Sequence, residues 1–239
     1  MYAPPVGPST PSPESALAVD QAVAACRAVH NASATLRVSM RLGRGHSSSI
    51  DVSALVTSAG QIRLMDAKIF VLAGTADRAQ LWWRPENRVV TAPTADIVDA
   101  LVQIKITPQR LLAIMSGCIA TSFTPTTLLR IGPQVRADTP DSRLYLGRRD
   151  GRWRIVAGEG GGLIVDYPGA FRGDWPAEWR AARADATHTP LILDAVVEDA
   201  AFDDPAVGRD PAAFQLQDTP GAVPMSLDDL RAAGIFGKR

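Results

Sequence analysis

The residues of this chain that could do chemistry are its histidines, cysteines and glycine runs, and each has the wrong spacing for it. His30, His46 and His188 stand far apart, and none forms an H-E-x-x-H pair or another ligand spacing, so a zinc site has no donor set to draw on. No G-x-S-x-G nucleophile elbow occurs. Cys26 and Cys118 are too few and too far apart for a metal pattern. Cys118 is also expected at a helix C-terminus, where the dipole disfavours a thiolate. The two could pair in an oxidising compartment if their helices meet, but small buried thiols are the preferred expectation. The run "GEGGG" at 158–162 has the glycine density of a phosphate loop. A phosphate loop opens a helix, however, and "LIVDYP" after it reads as strand. The acidic stretch "EDAAFDDPAVGRD" reads as a solvated loop and lacks the glycine and closing glutamate of a calcium loop. No catalytic residue, no metal and no cofactor are therefore expected, and on pattern alone the apolar strands read as an ordinary thick core in preference to a ligand cavity.

The elements that would present a binding surface are strand-rich. With 239 residues, 46% of them hydrophobic, the chain can bury a core as one large domain. Its 25 acidic and 25 basic residues cancel, so no footprint for nucleic acid or an anionic membrane stands out. No apolar run is long enough for a membrane-spanning helix, and no signal-peptide pattern is present. "MYAPPVGPSTPSPES" is proline-rich with little to bury, which predicts a disordered tether over 1–13 ahead of a single domain over 14–239. A helix over about 13–30 follows, with Val19, Val23, Cys26 and Val29 at helical spacing.

From Leu36 the period becomes two, with Leu36, Val38, Met40 and Leu42 alternating with polar residues. Ile50, Val52, Ala54 and Val56 repeat the pattern, and "QIRLM", "IFVLAG", "AQLWWR" and "RVVTA" continue an antiparallel meander whose connections are too short for parallel crossovers. Adjacent Trp82 and Trp83 must face opposite sides of the sheet. "TADIVDALVQ" behind a Thr94 cap predicts one helix, and "ITPQRLLAIMSGC" a second. In the second, Thr107 is the N-cap, Pro108 the first residue and Gly117 the stop, with Leu111, Leu112 and Met115 on one greasy face and Gln109, Arg110 and Ser116 on a wet one. Strands resume with "SRLYLGRRDGRWRIVAG", turned at Asp150-Gly151, then "GLIVDY", "PLILDAVVE" and "AAFQL"; "DWPAEWRAARADA" leans to strand. The fold class is α+β: a single curved antiparallel sheet, covered on one face by amphipathic helices.

The order of helix, meander, "KIFVLAGTADRAQLWWRPENRVVTAP", "DALVQIKITPQRLLAIMSGC" and "FQLQDTPGAVPMSLDDLRAAGIF" resembles the LolA/LolB-like lipoprotein-localisation proteins over most of 14–239, closest to the LolB-like outer-membrane lipoproteins. The resemblance implies an unclosed half-barrel with lid helices holding acyl chains of lipoproteins or lipids. The implied lining is Leu36, Val38, Met40, Val52, Val56, Leu64, Val71 and Trp83 from strands, with Ile97, Leu101, Leu111, Leu112 and Met115 from the lid. It also implies a monomer in the periplasm, tethered to the outer membrane through an N-terminal lipid anchor that this sequence does not carry. LolB has a protruding loop with an exposed leucine after its third strand, where this chain has only "MDAK", Met65 to Lys68, which implies acyl binding without membrane insertion. An accessory lipoprotein using the fold as an interaction platform, and less so an undetected hydrolase, are the alternatives.

Overall fold

The computed structural model describes residues 2–8, 10, 14–24, 29–42, 48–119, 124–184, 191–207, 209–216 and 218–234. His46, His188 and Cys26 lie outside them. The chain divides into two compact units, Met1–Val29 with Ala113–Asp194, and His30–Leu112 with Ala195–Arg239.

The second unit is the expected meander. Strands β1 (Asn31–Leu42), β2 (Ser48–Thr57), β3 (Gln61–Asp66), β4 (Phe70–Thr75), β5 (Ala79–Trp83) and β6 (Arg88–Ala92) pair in sequence, each antiparallel to the next. The "MDAK" turn is as tight as expected: Asp66 Oδ1 accepts the N–H groups of Lys68 at 2.7 Å and Ile69 at 2.9 Å. Helix α2 (Thr94–Val102) follows. Thr94 does not cap it; its hydroxyl donates to the Thr75 carbonyl at 2.6 Å, and Pro93 occupies the N-cap.

The first unit holds α1 (Glu14–Ala24), packed on β7 (Thr127–Ile131), β8 (Gln134–Asp138), β9 (Ser142–Arg149) and β10 (Arg152–Gly160). Strands β11 (Leu163–Asp166) and β14 (Glu178–Arg183) extend that sheet, and β12 (Phe171–Arg172) pairs with β13 (Trp175–Pro176) as a separate hairpin. Asp150 and Gly151 turn β9 into β10 with φ of +51° and +75°, the doubly left-handed pair a tight hairpin demands. The glycine run ends β10 and turns into β11, as expected of a strand connection. Within the stretch expected to be a tether, Tyr2 packs against Tyr145, Val156 and Ala157, and Thr10 exchanges backbone hydrogen bonds with Arg130 of β7.

Including β15 (Leu191–Phe202) and β16 (Val223–Pro224), the strand order is β16-β6-β5-β4-β3-β2-β1-β15-β14-β11-β10-β9-β8-β7. The end strands β16 and β7 do not pair, so the sheet is not closed into a barrel. β16 runs parallel to β6, an exception to the antiparallel pattern.

Four further differences from the sequence expectations have local causes. β7 and β8 go beyond the expected strands: Arg130, Arg136 and Asp138 break up their short apolar runs on either side of a Gly132-Pro133 turn. "AAFQL" is no strand, because Pro211 and the Asp210 carboxylate, which accepts the Ala212 N–H at 2.9 Å, start a 3-10 turn over Pro211–Phe214. The acidic stretch from Glu198 is strand as far as Phe202. Helix α4 (Leu227–Ala233) is set by a capping box in which the Ser226 hydroxyl accepts from Asp229 N and the Asp229 carboxylate accepts from Ser226 N, both at 3.1 Å.

Candidate functional site

Antiparallel pairing decides which side chains share a face, because directly opposed residues point the same way. Across β1 and β2, Ala32 opposes Val56, Ala34 opposes Ala54, Leu36 opposes Val52 and Val38 opposes Ile50. Ala54 and Val56 in turn oppose Leu64 and Ile62. Leu64 opposes Leu72, which opposes Leu81, which opposes Val90; Phe70 opposes Trp83. One face of the meander is thus a continuous hydrocarbon surface. The other carries Ser33, Thr35 and Arg37 of β1, Asp51 and Ser53 of β2, Arg63 of β3, Gln80 of β5 and Thr91 of β6.

The structure brings together Leu36, Val38, Met40, Val52, Val56, Leu64 and Trp83 on the apolar face. Val71 does not join them. It opposes Met65 and Trp82 on the other face, where the Pro211–Phe214 turn packs against β3 and β4. Arg63 anchors that turn by donating to the carbonyls of Ala213 and Gln215, each at 3.2 Å. "FVLA" is apolar at every position, so no period in β4 distinguishes the two faces.

Cover over the apolar face comes from α2, which packs on β5 and β6 with Ile97 and Leu101 buried. Gln80 and Thr91 on the opposite face are exposed, which puts α2 on the apolar side. Burial is uneven along the face. Leu36, Val52, Val56, Leu72, Leu81 and Trp83 are fully buried, whereas Val38, Met40, Ile50 and Leu64 are half-buried. Small side chains, Ala32, Ala34 and Ala54, occupy the strands beside Leu64 and keep the surface low there. The indole Nε1 of Trp83 is a buried donor with no hydrogen-bond partner among the described residues. Trp82 points the other way, donates to Asn87 Oδ1 at 3.0 Å and lies under the Arg84 guanidinium.

The helix expected as a lid, α3 (Pro108–Met115), is capped as predicted: Thr107 Oγ1 accepts the Arg110 N–H at 3.2 Å, and Gly117 has φ of +78°. Its expected wet side is only partly wet, with Gln109 and Arg110 half-buried and Ser116 buried. Leu111, Leu112, Ala113, Ile114, Met115 and Ser116 are all buried, and Ser116 satisfies its hydroxyl on the Ala113 carbonyl at 3.1 Å. A serine at a helix end needs no water when an i−3 carbonyl is in reach.

Cys118, just beyond α3, is disulfide-bonded, and there is no free thiol among the described residues, which overturns the expectation of two buried thiols. The sequence has one other cysteine, Cys26. Sequence spacing carries no information on which side chains meet across so long a loop.

Ionisable groups reach the apolar face where β3 ends and β6 begins, with Asp66 opposite Phe70 and Arg88 opposite Trp83, and the others lie elsewhere. Asp138 of β8 is held below the ordinary carboxylate range by its hydrogen bonds from Arg136, with Arg143 adding to them. Asp166 of β11 is only 4% exposed, and burial pushes its carboxyl up despite the neighbouring Arg180. Among the described residues, no group of three or more His, Cys, Asp or Glu side chains converges as a metal cluster, and no helix is long and apolar enough to cross a membrane.

Among known proteins, no family model matches the chain and no curated protein matches its sequence. Solved structures match its fold. A LolA superfamily protein from Nitrosomonas europaea is 8% identical, with 84% of this chain and 97% of that chain covered at a TM-score of 0.53. A DUF1329 family protein from Desulfovibrio piger is 9% identical, with the same 84% and 97% covered at a TM-score of 0.50. The chain therefore has a LolA-like α+β fold with a large, open, mainly antiparallel sheet.

Proposed function

We propose that this protein binds the acyl chains of lipoproteins or lipids on the apolar face of its meander, as a non-catalytic carrier or receptor in outer-membrane lipoprotein localisation or lipid trafficking. The observation that carries the proposal is the half-buried group Val38, Met40, Ile50 and Leu64 on an otherwise buried hydrocarbon face. Removing an acyl chain from water supplies about 0.8 kcal/mol per methylene, so capture needs no nucleotide. The buried Trp83 Nε1 offers a donor beside that face for a carbonyl of the ligand.

The LolA-like fold supports a periplasmic location, and the disulfide at Cys118 supports an oxidising compartment. In this reading it works there as a monomer held at the outer membrane through a lipid anchor. Native mass spectrometry of the protein purified from a bacterial envelope tests the proposal: co-purified lipid, displaced by a fluorescent fatty acid, is expected. A preparation that carries no lipid and takes up no probe would remove it.

A further inference from the structure

The net charge of zero hides a local excess. The β9–β10 hairpin reads "RRDGR" at its tip, and the β12–β13 hairpin reads "FRGDW". The two tips are clasped together. Arg154, only 8% exposed, donates to the Gly173 carbonyl at 2.9 Å and to Asp174 at 2.7 Å, and its guanidinium lies over the Phe171 ring at 5.5 Å. Arg152 reaches the same Asp174 at 3.4 Å. The result is one rigid platform within the first unit. Arg149 and Arg152, opposed across the β9–β10 hairpin, and Arg172 are exposed on it, and Trp175 is half-buried under Arg172 at 5.7 Å. Arg148, exposed on the other face of the same tip, opposes Trp153 and lies over its ring at 5.2 Å. Counting Arg148 and Arg154, the two tips carry five arginines against two aspartates, Asp150 and Asp174, and Asp174 is already committed to Arg154. Its carboxyl is accordingly held low, first by the Arg154 hydrogen bond.

We propose that this platform docks the protein on a membrane surface rich in anionic phospholipid headgroups. Guanidinium groups pair bidentately with phosphate oxygens, and Arg over an indole at a hairpin tip is the amphipathic arrangement that settles at a bilayer interface. A rigid, clasped pair of hairpins loses little freedom on docking, which favours a flat lipid surface over a partner that must wrap the tip. The "MDAK" turn, with Asp66 folded back on its own backbone, offers no greasy insertion point, so contact by charge at these hairpins serves instead. Docking leaves the apolar face of the meander untouched and stands or falls separately from acyl binding.

Vesicle co-sedimentation tests it. The full chain is expected to bind phosphatidylcholine vesicles containing 30% phosphatidylglycerol and not pure phosphatidylcholine, with binding lost in 0.5 M NaCl. Each arginine near an anionic surface is worth about a fivefold factor, so the R148Q/R149Q double variant should bind roughly 25-fold more weakly. The control K68Q should bind like the parent, and both variants should take up a fluorescent fatty acid like the parent. Equal binding to neutral vesicles, an R148Q/R149Q variant as good as the parent, or full competition by millimolar glycerol phosphate would overturn the proposal, the last because it marks a headgroup pocket and no surface contact.

Discussion

Leu64 and Val71 sit on neighbouring strands and point to opposite faces of the sheet, Leu64 towards Leu72 and Val71 towards Met65. Their substitutions should therefore separate binding from stability. Leu64→Glu puts a charge on the half-buried apolar face, where the folded protein can still hydrate it. Uptake of a fluorescent fatty acid is expected to fall at least tenfold, with a shift in Tm of only a few degrees. Val71→Ala removes packing beneath the Pro211–Phe214 turn and is expected to cost about 2 kcal/mol by urea unfolding, with probe affinity unchanged. The reverse pattern would mean that the ligand sits on the Val71 face.

Met115 follows a different logic because α3 is buried from Leu111 to its end. It is 1% exposed, and Ile114 beside it is fully buried. A loosely held lid helix would tolerate a polar change on its inner face; this one should not. Met115→Ala is expected to destabilise by about 2–5 kcal/mol, and Met115→Glu to yield little soluble folded protein. If Met115→Glu folds normally and loses only probe binding, α3 is a lid after all.

Legibility of the fold in the sequence tracked how strictly a segment obeyed one period. β1 and β2 alternate cleanly, and their residues fell on one face as expected; β4, apolar throughout, did not reveal that Val71 turns away. Turn chemistry was local and readable at Asp150-Gly151 and Thr107-Pro108. The burial of α3 from Leu111 through Ser116, and the partial cover of Gln109 and Arg110, was not, because only neighbours distant in sequence decide whether such polar residues see water. The arginine platform was invisible for a related reason: Arg154 and Asp174 are brought together by two separate hairpins, while composition averages their charge away.

The disulfide at Cys118 makes stability depend on redox state. Peptide mapping without reductant is expected to find Cys118 linked to Cys26. Cys118→Ser, or dithiothreitol applied to the parent, should lower stability by about 2–4 kcal/mol. Identical urea midpoints with and without reductant would show that the bond contributes nothing to folding.

Two aspartates on the sheet of the first unit should give opposite pH signatures. Asp138 is held below the ordinary carboxylate value of 3.8 by Arg136 and Arg143. Its contribution is present above that value and lost as pH falls through the folded one, so Asp138→Asn should be less stable than the parent at pH 7, with the difference closing in acid. Asp166 is pushed the other way by burial, with Arg180 opposing the shift and Asp194 adding to it. Its protonated form fits the site, so that contribution is complete below 3.8 and is lost as pH rises through the raised folded value. Asp166→Asn, which keeps the shape and removes the titration, should therefore match the parent near pH 3 and become the more stable protein towards pH 7. Urea midpoints across that range decide it. A variant less stable than the parent at pH 7 would mean that the Asp166 carboxylate is held charged by Arg180, and that the ion pair outweighs burial.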